Sequence, residues 1–243
     1  VIVQQEGQRD HDAAAHHERQ HVGDAVHQVL VQSAAKAVLA GSILGGLCAA
    51  LSVLFCKVMH GTGRLYAKYL PDARVRAVAG GFIMIGLSLL DGGLSDQVYN
   101  GAGGNLVQAA VTGNGAGVEP WGFLVKIVFT ALTLGAGFRG GEIVPTFACG
   151  ATFGCVAGPL IGLSPSFGGA LGTVAAFCGV TNCPLSSILL AYELFTSRGL
   201  PLYALCCAIS YMLSGYYGLY SEQKIIYSKF RPEYIDKKAN DDE

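Results

Sequence analysis

The chain has 243 residues and a formal net charge of -1, with 51% hydrophobic and only 14% charged side chains. Soluble domains carry about 25% charged residues, so this composition and a mean hydropathy of +0.43 exclude an ordinary soluble domain and predict a polytopic membrane protein. The near-neutral charge gives no support to nucleic-acid binding. The eight cysteines form no CxxC pair, so we expect buried thiols rather than a zinc site or a disulfide framework.

Residues 1–33 differ in composition from everything that follows. The segment is rich in His, Gln, Asp and Arg and holds five of the six histidines. It has no apolar face and no repeated ligand spacing, so we predict a disordered or non-native segment rather than a metal-binding tract. It also lacks the apolar central region of a signal peptide.

The first stretch long enough to span a membrane is Lys36–Met59, where Gly41 and Gly45 form a close-packing face. The following stretch, Lys57–Arg76, carries five basic residues against one acid. By the positive-inside rule, this imbalance predicts a cytoplasmic loop. Ala77–Leu90 is then predicted to return into the membrane.

A region rich in glycine, asparagine and aspartate, Asp91–Gly117, follows. We predict that it is partly re-entrant, with a short helix over Asn105–Val111. The next apolar run, Trp121–Leu134, carries Lys126. A lysine in such a run is costly unless it faces protein or water, and we favour a structural pairing or a snorkelling position over a place on an ion path.

The stretch Gly135–Gly154 reads GAGFRGGEIVPTFACGATFG and opens with four glycines in seven residues. Glycine permits a turn before a helix, and Pro145 suits a first helical turn. The free amides of that turn, together with the helix dipole, predict an anion site. Glu142 has two interpretations, as a proton-linked or gating carboxylate and as a cap on the amides of its own helix.

The glycines of Gly135–Gly140 also satisfy the G-x-G-x-x-G pattern of dinucleotide-binding folds. That pattern is weak without its context. The preceding apolar run is too long for one buried strand, and no acid follows Glu142 until Glu193, far beyond the ribose-binding acid expected about 20 residues on. A membrane-bound nucleotide enzyme is therefore the disfavoured alternative.

Three shorter apolar helices are predicted next, over 146–163, 167–180 and 186–195. The third follows Pro184 and ends near Glu193, for which we expect a structural role. A last full-length span is predicted over Leu200–Leu219, and the basic start of the tail places it on the cytoplasmic side. Many of these segments fall short of the ~20 residues of a straight span. Short, interrupted helices are typical of transport sites near the bilayer midplane.

Three blocks resemble, in their order and spacing, the second half of a CLC chloride channel and transporter subunit. Gly140–Pro145 and the residues after it resemble the G-x-F-x-P anion-binding signature at a helix start. Thr181–Glu193 resembles the family's next block, a helix that begins with proline and ends with an acid. Tyr220 falls where the family has the tyrosine whose hydroxyl coordinates the central anion. The similarity extends over about Ala34–Phe230.

The resemblance implies an all-α membrane protein, a bundle of tilted, broken transmembrane helices that forms the second half of an inverted-repeat CLC fold. Residues 34–230 would be the transmembrane region and 231–243 a polar cytoplasmic tail, in a homodimer of the bacterial plasma membrane. A chloride or fluoride ion would be held by helix amides and a hydroxyl, with no metal, cofactor or catalytic residue. The implied anion-binding residues are Gly141, Glu142, Ile143, Val144, Pro145, Thr146, Phe147 and Tyr220.

Two features depart from the family pattern. Ile143 replaces the aromatic residue of G-x-F-x-P, and the acid Glu142 precedes it. A glycine-glycine-glutamate form resembles a bacterial variant close to the fluoride–proton antiporter branch, in which we expect threonine where Val144 stands. The G-S-G-I-P and G-R-E-G-P signatures of the family's first half do not occur in these 243 residues, and the gating glutamate is missing with them.

We therefore expect halide transport, of chloride in the first place, by a CLC-type channel or anion–proton antiporter that is incomplete in this chain, and no enzymatic activity. Two alternatives stay open. One is a fluoride–proton antiporter of the same family, and the other is a non-conducting membrane fragment that needs an amino-terminal half.

Overall fold

The computed structural model describes residues 34–90, 98–113, 115, 117–195 and 199–240. The polar segment 1–33 and the start of the predicted re-entrant region, 91–97, lie outside these ranges. The described residues form eight helices and one β-hairpin. The helices are α1 (Ala34–Tyr69), α2 (Ala73–Leu90), α3 (Gly104–Val111), α4 (Gly122–Gly135), α5 (Ile143–Leu160), α6 (Pro165–Thr181), α7 (Pro184–Leu194) and α8 (Leu200–Leu213), and the strands are β1 (Lys224–Tyr227) and β2 (Tyr234–Lys238).

The first helix is longer than predicted. α1 has 36 residues, which at 1.5 Å per residue is about 54 Å, well beyond the ~30 Å of a hydrocarbon core. The predicted loop Lys57–Arg76 was therefore wrong over most of its length, because the helix continues to Tyr69 and only residues 70–72 connect it to α2. No proline interrupts the chain before Pro71, and most of the residues there accept a helix. The basic side chains thus project from helices.

Several helices are too short to cross a bilayer. Among the described helices, α1 and α5 have the length and hydropathy of a membrane span. α4, α7 and α8 are apolar but have 14, 11 and 14 residues, which corresponds to roughly 17–21 Å. The predicted full-length span Leu200–Leu219 was wrong, because α8 ends at Leu213 and Gly215 adopts a positive φ of 61°. The prediction of short, interrupted helices is confirmed.

α6 lies at the centre of the bundle, and nearly all of its residues are buried. Two buried serines fasten it to its neighbours. Ser52 of α1 donates to the Ala176 carbonyl at 3.0 Å, and Ser210 of α8 donates to the Ala175 carbonyl at 2.7 Å. A Cβ on Gly179 would overlap the Ser52 hydroxyl, so glycine is needed at this crossing. All eight cysteines are free thiols, and seven of them are buried.

The backbones of α5 and α6 touch through glycines. A Cβ on Gly154 would overlap the Gly168 carbonyl oxygen, and a Cβ on Gly150 would overlap the Gly172 carbonyl oxygen. Small residues at a crossing let two membrane helices approach closely. α5 is therefore held against the buried central helix, and this contact fixes the position of its first turn.

The predicted close-packing face of α1 meets α8. A Cβ on Gly45 would lie 2.9 Å from the Cys206 carbonyl oxygen, whereas a Cβ on Gly41 would make an ordinary contact of 3.6 Å with Leu202. The close approach of the two helices therefore depends on Gly45.

The tail, for which only a polar composition was predicted, contains the hairpin of β1 and β2, which pair antiparallel. A buried lysine joins this tail to the helix ends. Lys229 Nζ donates to Asn182 Oδ1 at 2.5 Å, to the Tyr211 carbonyl at 2.9 Å and to Ser214 Oγ at 3.3 Å. Asn182 closes α6, and Tyr211 and Ser214 belong to the end of α8. A cation is favourable at helix carboxyl ends because of the helix dipole.

Candidate functional site

The first turn of α5 has two free amides. Glu142 occupies the position before Ile143, the first helical residue. The Glu142 carbonyl accepts hydrogen bonds from the amide of Thr146 at 3.3 Å and from its hydroxyl at 2.9 Å. Pro145 has no N–H, so Ile143 and Val144 are the first-turn residues whose amides have no acceptor inside the helix. Of the implied anion-binding residues that belong to α5, Ile143 and Val144 are therefore the ones whose amides are free to meet an anion.

A cavity of about 400 Å³ lies beside this helix start. The chain before and within the first turn supplies one wall, from Gly140, Gly141, Val144 and Pro145. α4 supplies the facing wall, and the loop before α3 closes it. The remaining lining residues are Met84, Tyr99, Asn100, Gly101, Ala102, Lys126, Phe129, Thr130, Thr133 and Leu134. The helix start that the sequence singled out therefore opens onto a half-open cavity with a lysine in its wall.

Lys126 is almost completely buried, with 1% of its surface exposed. Its ammonium donates to the carbonyl oxygens of Tyr99 at 2.9 Å and Gly101 at 2.7 Å. No carboxylate among the described residues forms an ion pair with Lys126. The ion pair found in the described part of the chain joins Lys238 and Glu222. The structural pairing favoured for Lys126 is therefore present, and it involves backbone carbonyls rather than an acid.

The loop before α3 holds Lys126 in place. Gly103 adopts a positive φ of 89°, and a Cβ there would lie 2.9 Å from Lys126 Cε and 2.8 Å from the Ala148 Cβ. The Tyr99 ring packs on Phe129, with the ring centroids 6.3 Å apart. The glycine-rich composition that predicted a re-entrant region is thus what lets the loop wrap closely around the lysine.

Glu142 lies on the other side of the helix start and does not line the cavity. Its half-buried carboxylate interacts electrostatically with His60 of α1. It makes no hydrogen bond to the amides of its own helix, so the capping interpretation was wrong. The His60 ring lies between α1 and the tail, with Nδ1 2.8 Å from the Cys56 carbonyl and Nε2 3.0 Å from Ser221 Oγ. Because a carbonyl only accepts, Nδ1 carries a proton, and a neutral ring accepts the Ser221 proton at Nε2.

His60 was missed in the sequence because it stands in the stretch predicted to be a loop. His60 stands four residues after Cys56, and this spacing places both residues on one face of a helix. The spacing is informative only when α1 is known to continue past Met59. Tyr220, directly before Ser221, is 47% exposed. Tyr220 does not line the Lys126 cavity.

The eight predicted site residues thus divide into groups. Gly141, Val144 and Pro145 line the cavity, Glu142 interacts with His60, and Tyr220 is exposed next to Ser221. Thr146 and Phe147 serve packing, since Thr146 is 1% exposed and the Phe147 ring meets Phe177 of α6 edge-on at 5.1 Å. Ile143 is exposed beside the cavity. Among the residues the structure describes, no group of three His, Cys, Asp or Glu side chains could hold a metal ion.

The chain is similar to the proteins of a known family. A sequence model of the voltage-gated chloride channel family matches residues 17–215. The chain belongs to this CLC family. It is accordingly an integral membrane protein of a family of channels and transporters, which confirms the resemblance found in the sequence.

Two relatives illustrate the match. A chloride/fluoride channel protein of Pseudomonas syringae pv. tomato (strain ATCC BAA-871 / DC3000) is 35% identical over 197 residues, which are 79% of this chain and 42% of that protein. The crystal structure of a CLC-type fluoride/proton antiporter superposes with a TM-score of 0.71 and 29% identity, over 76% of this chain and 46% of the other. The chain therefore spans less than half the length of the CLC proteins it matches.

A third comparison supports the fold alone. The crystal structure of a eukaryotic CLC transporter superposes with a TM-score of 0.55 at 21% identity, over 73% of this chain and 32% of that one. The predicted fold class, an all-α membrane bundle, is confirmed by these matches, with the short tail hairpin as an addition.

Proposed function

We propose that this chain is the carboxyl-terminal half of a CLC-type halide transporter and forms one wall of its anion pathway. The observation that carries the proposal is the start of α5, where Gly140 and Gly141 lead a first turn with free amides onto a cavity of about 400 Å³. Free amides and the helix dipole together favour an anion at such a helix start. The two similar proteins are named for chloride or fluoride, which supports a halide as the substrate.

The exposed surface at the helix start supports the second part of the proposal, that an amino-terminal half completes the pathway. Phe138, Ile143 and Val144 are 42%, 38% and 39% exposed. Apolar side chains next to an ion site are normally covered by protein, because water would otherwise enter freely. We place Tyr220, which is also exposed, among the residues that meet the anion once this surface is covered.

Glu142 is the proposed proton-linked residue. It makes no capping hydrogen bond, and its carboxylate lies within electrostatic reach of the His60 ring. This supports an antiporter over a simple channel, with fluoride or chloride as the exchanged halide.

The proposed orientation places the carboxyl terminus in the cytoplasm of a bacterium, with the helices in the membrane and the polar tail after α8 on the cytoplasmic side. The end of α1 and the tail lie together, since His60 contacts Ser221 and a shared groove is lined by Arg64 and Lys238. Both basic regions are therefore on one side, as the positive-inside rule requires of the cytoplasmic face. A homodimer with one pathway per subunit completes the proposal.

Halide efflux from liposomes tests this function. This chain, alone and joined to the amino-terminal half of the Pseudomonas relative, would be reconstituted into vesicles loaded with sodium fluoride or sodium chloride. We expect efflux above that of empty vesicles from the joined protein and none from this chain alone. Two folded proteins that both release no halide would overturn the proposal. Efflux from this chain alone would show that the amino-terminal half is dispensable.

A further inference from the structure

We propose that Lys126 binds the anion directly, as a fixed positive charge in the wall of the cavity between α4 and the start of α5. This inference rests on the proposed function, because it adds a residue to the same site. It reverses the preference of the sequence analysis, in which a structural role was favoured for this lysine over a place on an ion path.

Within the described part of the chain, hydrogen bonds occupy two of the three donors of Lys126. An ammonium has three N–H groups, and two of them are directed to the carbonyl oxygens of Tyr99 and Gly101. Lys126 also lines the cavity that the α5 first turn opens onto. The third N–H is therefore available to a ligand in that cavity.

Among the described residues, no opposite charge balances that of Lys126. The side chain is 1% exposed, and no carboxylate among the described residues forms an ion pair with it. A buried charge is strongly disfavoured unless an opposite charge and hydrogen bonds compensate it. The two carbonyls supply hydrogen bonds but no net charge, and an anion in the cavity supplies the missing charge.

The other polar side chains of α4 in the cavity wall do not compete for this role. The Thr130 hydroxyl donates to the Lys126 carbonyl at 2.8 Å, and the Thr133 hydroxyl donates to the Phe129 carbonyl at 2.7 Å. Both protons are thus used within α4. The Lys126 ammonium and the first-turn amides are two kinds of donor at this cavity, and a hydrogen bond from a charged donor is the stronger of the two.

A purely structural role makes a different prediction. In that case the ammonium only fastens the loop before α3 through Tyr99 and Gly101. Its removal would lower the stability of the protein equally with and without halide. Anion binding, in contrast, couples Lys126 to the halide concentration, because a ligand that binds only the folded state raises its stability by mass action.

The test measures thermal unfolding of this chain in detergent, in sodium fluoride, sodium chloride or sodium gluconate at equal ionic strength. We expect fluoride or chloride to raise the Tm of the wild type and of Lys126→Arg above its value in gluconate. The Tm of Lys126→Met should be the same in all three salts. Lys68→Met is the matched control, since Lys68 is an exposed lysine of α1, and it should keep the increase. If halide raised the Tm of Lys126→Met as much as that of the wild type, the inference would be overturned.

A second test measures halide flux through the joined protein. It distinguishes this inference from the proposed function, and it can be carried out even when the Lys126→Met chain does not fold. Lys126→Gln keeps one amide donor for the loop, and we expect it to raise the KM for halide by about tenfold or more, as for the loss of a charge-assisted hydrogen bond. An unchanged KM with normal wild-type flux overturns the role of Lys126 alone. A joined wild type without flux overturns the proposed function and this inference together.

Discussion

The Lys126 side and the His60 side of the start of α5 differ in burial, charge and access. Lys126 is 1% exposed and enclosed by a cavity wall of backbone carbonyls and apolar side chains. His60 is half-buried, contacts Ser221 of the tail and interacts with the Glu142 carboxylate. The first side offers the ammonium of a buried lysine, and the second offers a carboxylate beside an imidazole.

In the proposed function, this difference lets one short turn serve an anion and a proton. An anion needs donors and positive charge in a place with little water, whereas a proton needs titratable groups that reach water. Placing the two on opposite sides of the same helix start keeps a carboxylate away from the anion and still couples both to the position of α5. Four changes break or sharpen this comparison.

The largest effect is expected from Gly154→Val, which should disrupt both sides at once. Its Cβ would overlap the Gly168 carbonyl, so α5 has to move away from α6. Overpacking of this kind costs roughly 1–3 kcal/mol of unfolding free energy, measured by circular dichroism during denaturation in detergent. Gly61→Ala is the control, because nothing lies within 4 Å of its Cβ, and it should stabilise α1 by up to about 1 kcal/mol. Equal stability of the two variants would contradict the close contact.

Glu142→Gln should abolish the proton-linked role of the His60 side and leave anion binding on the Lys126 side unchanged. We expect the joined protein to lose proton movement coupled to halide, because the amide cannot exchange a proton, while the halide-dependent increase in Tm persists. Vesicle pH recordings during halide efflux measure the first, and thermal unfolding measures the second. Glu119→Gln, a change at an exposed carboxylate outside the site, should leave both unchanged. Coupled proton movement that survives in Glu142→Gln would exclude this residue as the proton-linked group.

Lys229 is a second buried lysine, and it can be compared with Lys126 because protein acceptors alone satisfy its hydrogen bonds. Its three N–H groups have acceptors in Asn182, Tyr211 and Ser214, unlike those of Lys126. Lys229→Met should therefore lower stability by roughly 1–3 kcal/mol through unpaired acceptors and leave the halide response intact. A loss of the halide response in this variant would show that any buried lysine is sufficient to explain the effect.

The same lysine predicts a pH dependence. Burial lowers the pKa of Lys229 from 10.5 to about 8. Between these values the unfolded chain binds a proton that the folded protein has released, so the free energy of unfolding rises with pH. Below pH 8 both states hold the proton, and the cost of burying the charge is fully present. Wild-type stability measured relative to Lys229→Met should accordingly increase from about pH 8 to pH 10, and a constant difference would contradict this.

The smallest effect is expected from Ser221→Ala, which removes the hydroxyl next to His60 Nε2. The site is open to water, so a loss of no more than about 1 kcal/mol is expected, measured by thermal unfolding. Halide-dependent stabilisation on the Lys126 side should not change. Ser42→Ala, at an exposed serine that bonds only within α1, is the control for the loss of a hydroxyl.

Much of the site's backbone was predictable from the sequence, because glycine and proline act on their immediate neighbours. The run Gly140–Pro145 predicted a turn followed by a helix start, and α5 begins within it, at Ile143. The glycine-rich segment before α3 predicted an irregular region, and Gly101 and Gly103 do adopt positive φ. The extent of α1 was not predictable in this way, because its basic residues fit a loop or a helix equally well.

What the sequence by itself determined is therefore local: the apolar composition that requires a membrane, the short interrupted helices, and a helix start with free amides. The tertiary structure alone decided which side chains face that start. Lys126 meets carbonyls 25 and 27 residues away, and His60 meets a serine 161 residues away. Such pairs depend on how α1, α4 and the tail pack around the glycine contact of α5 and α6, and spacing along a chain carries no information about packing over that distance.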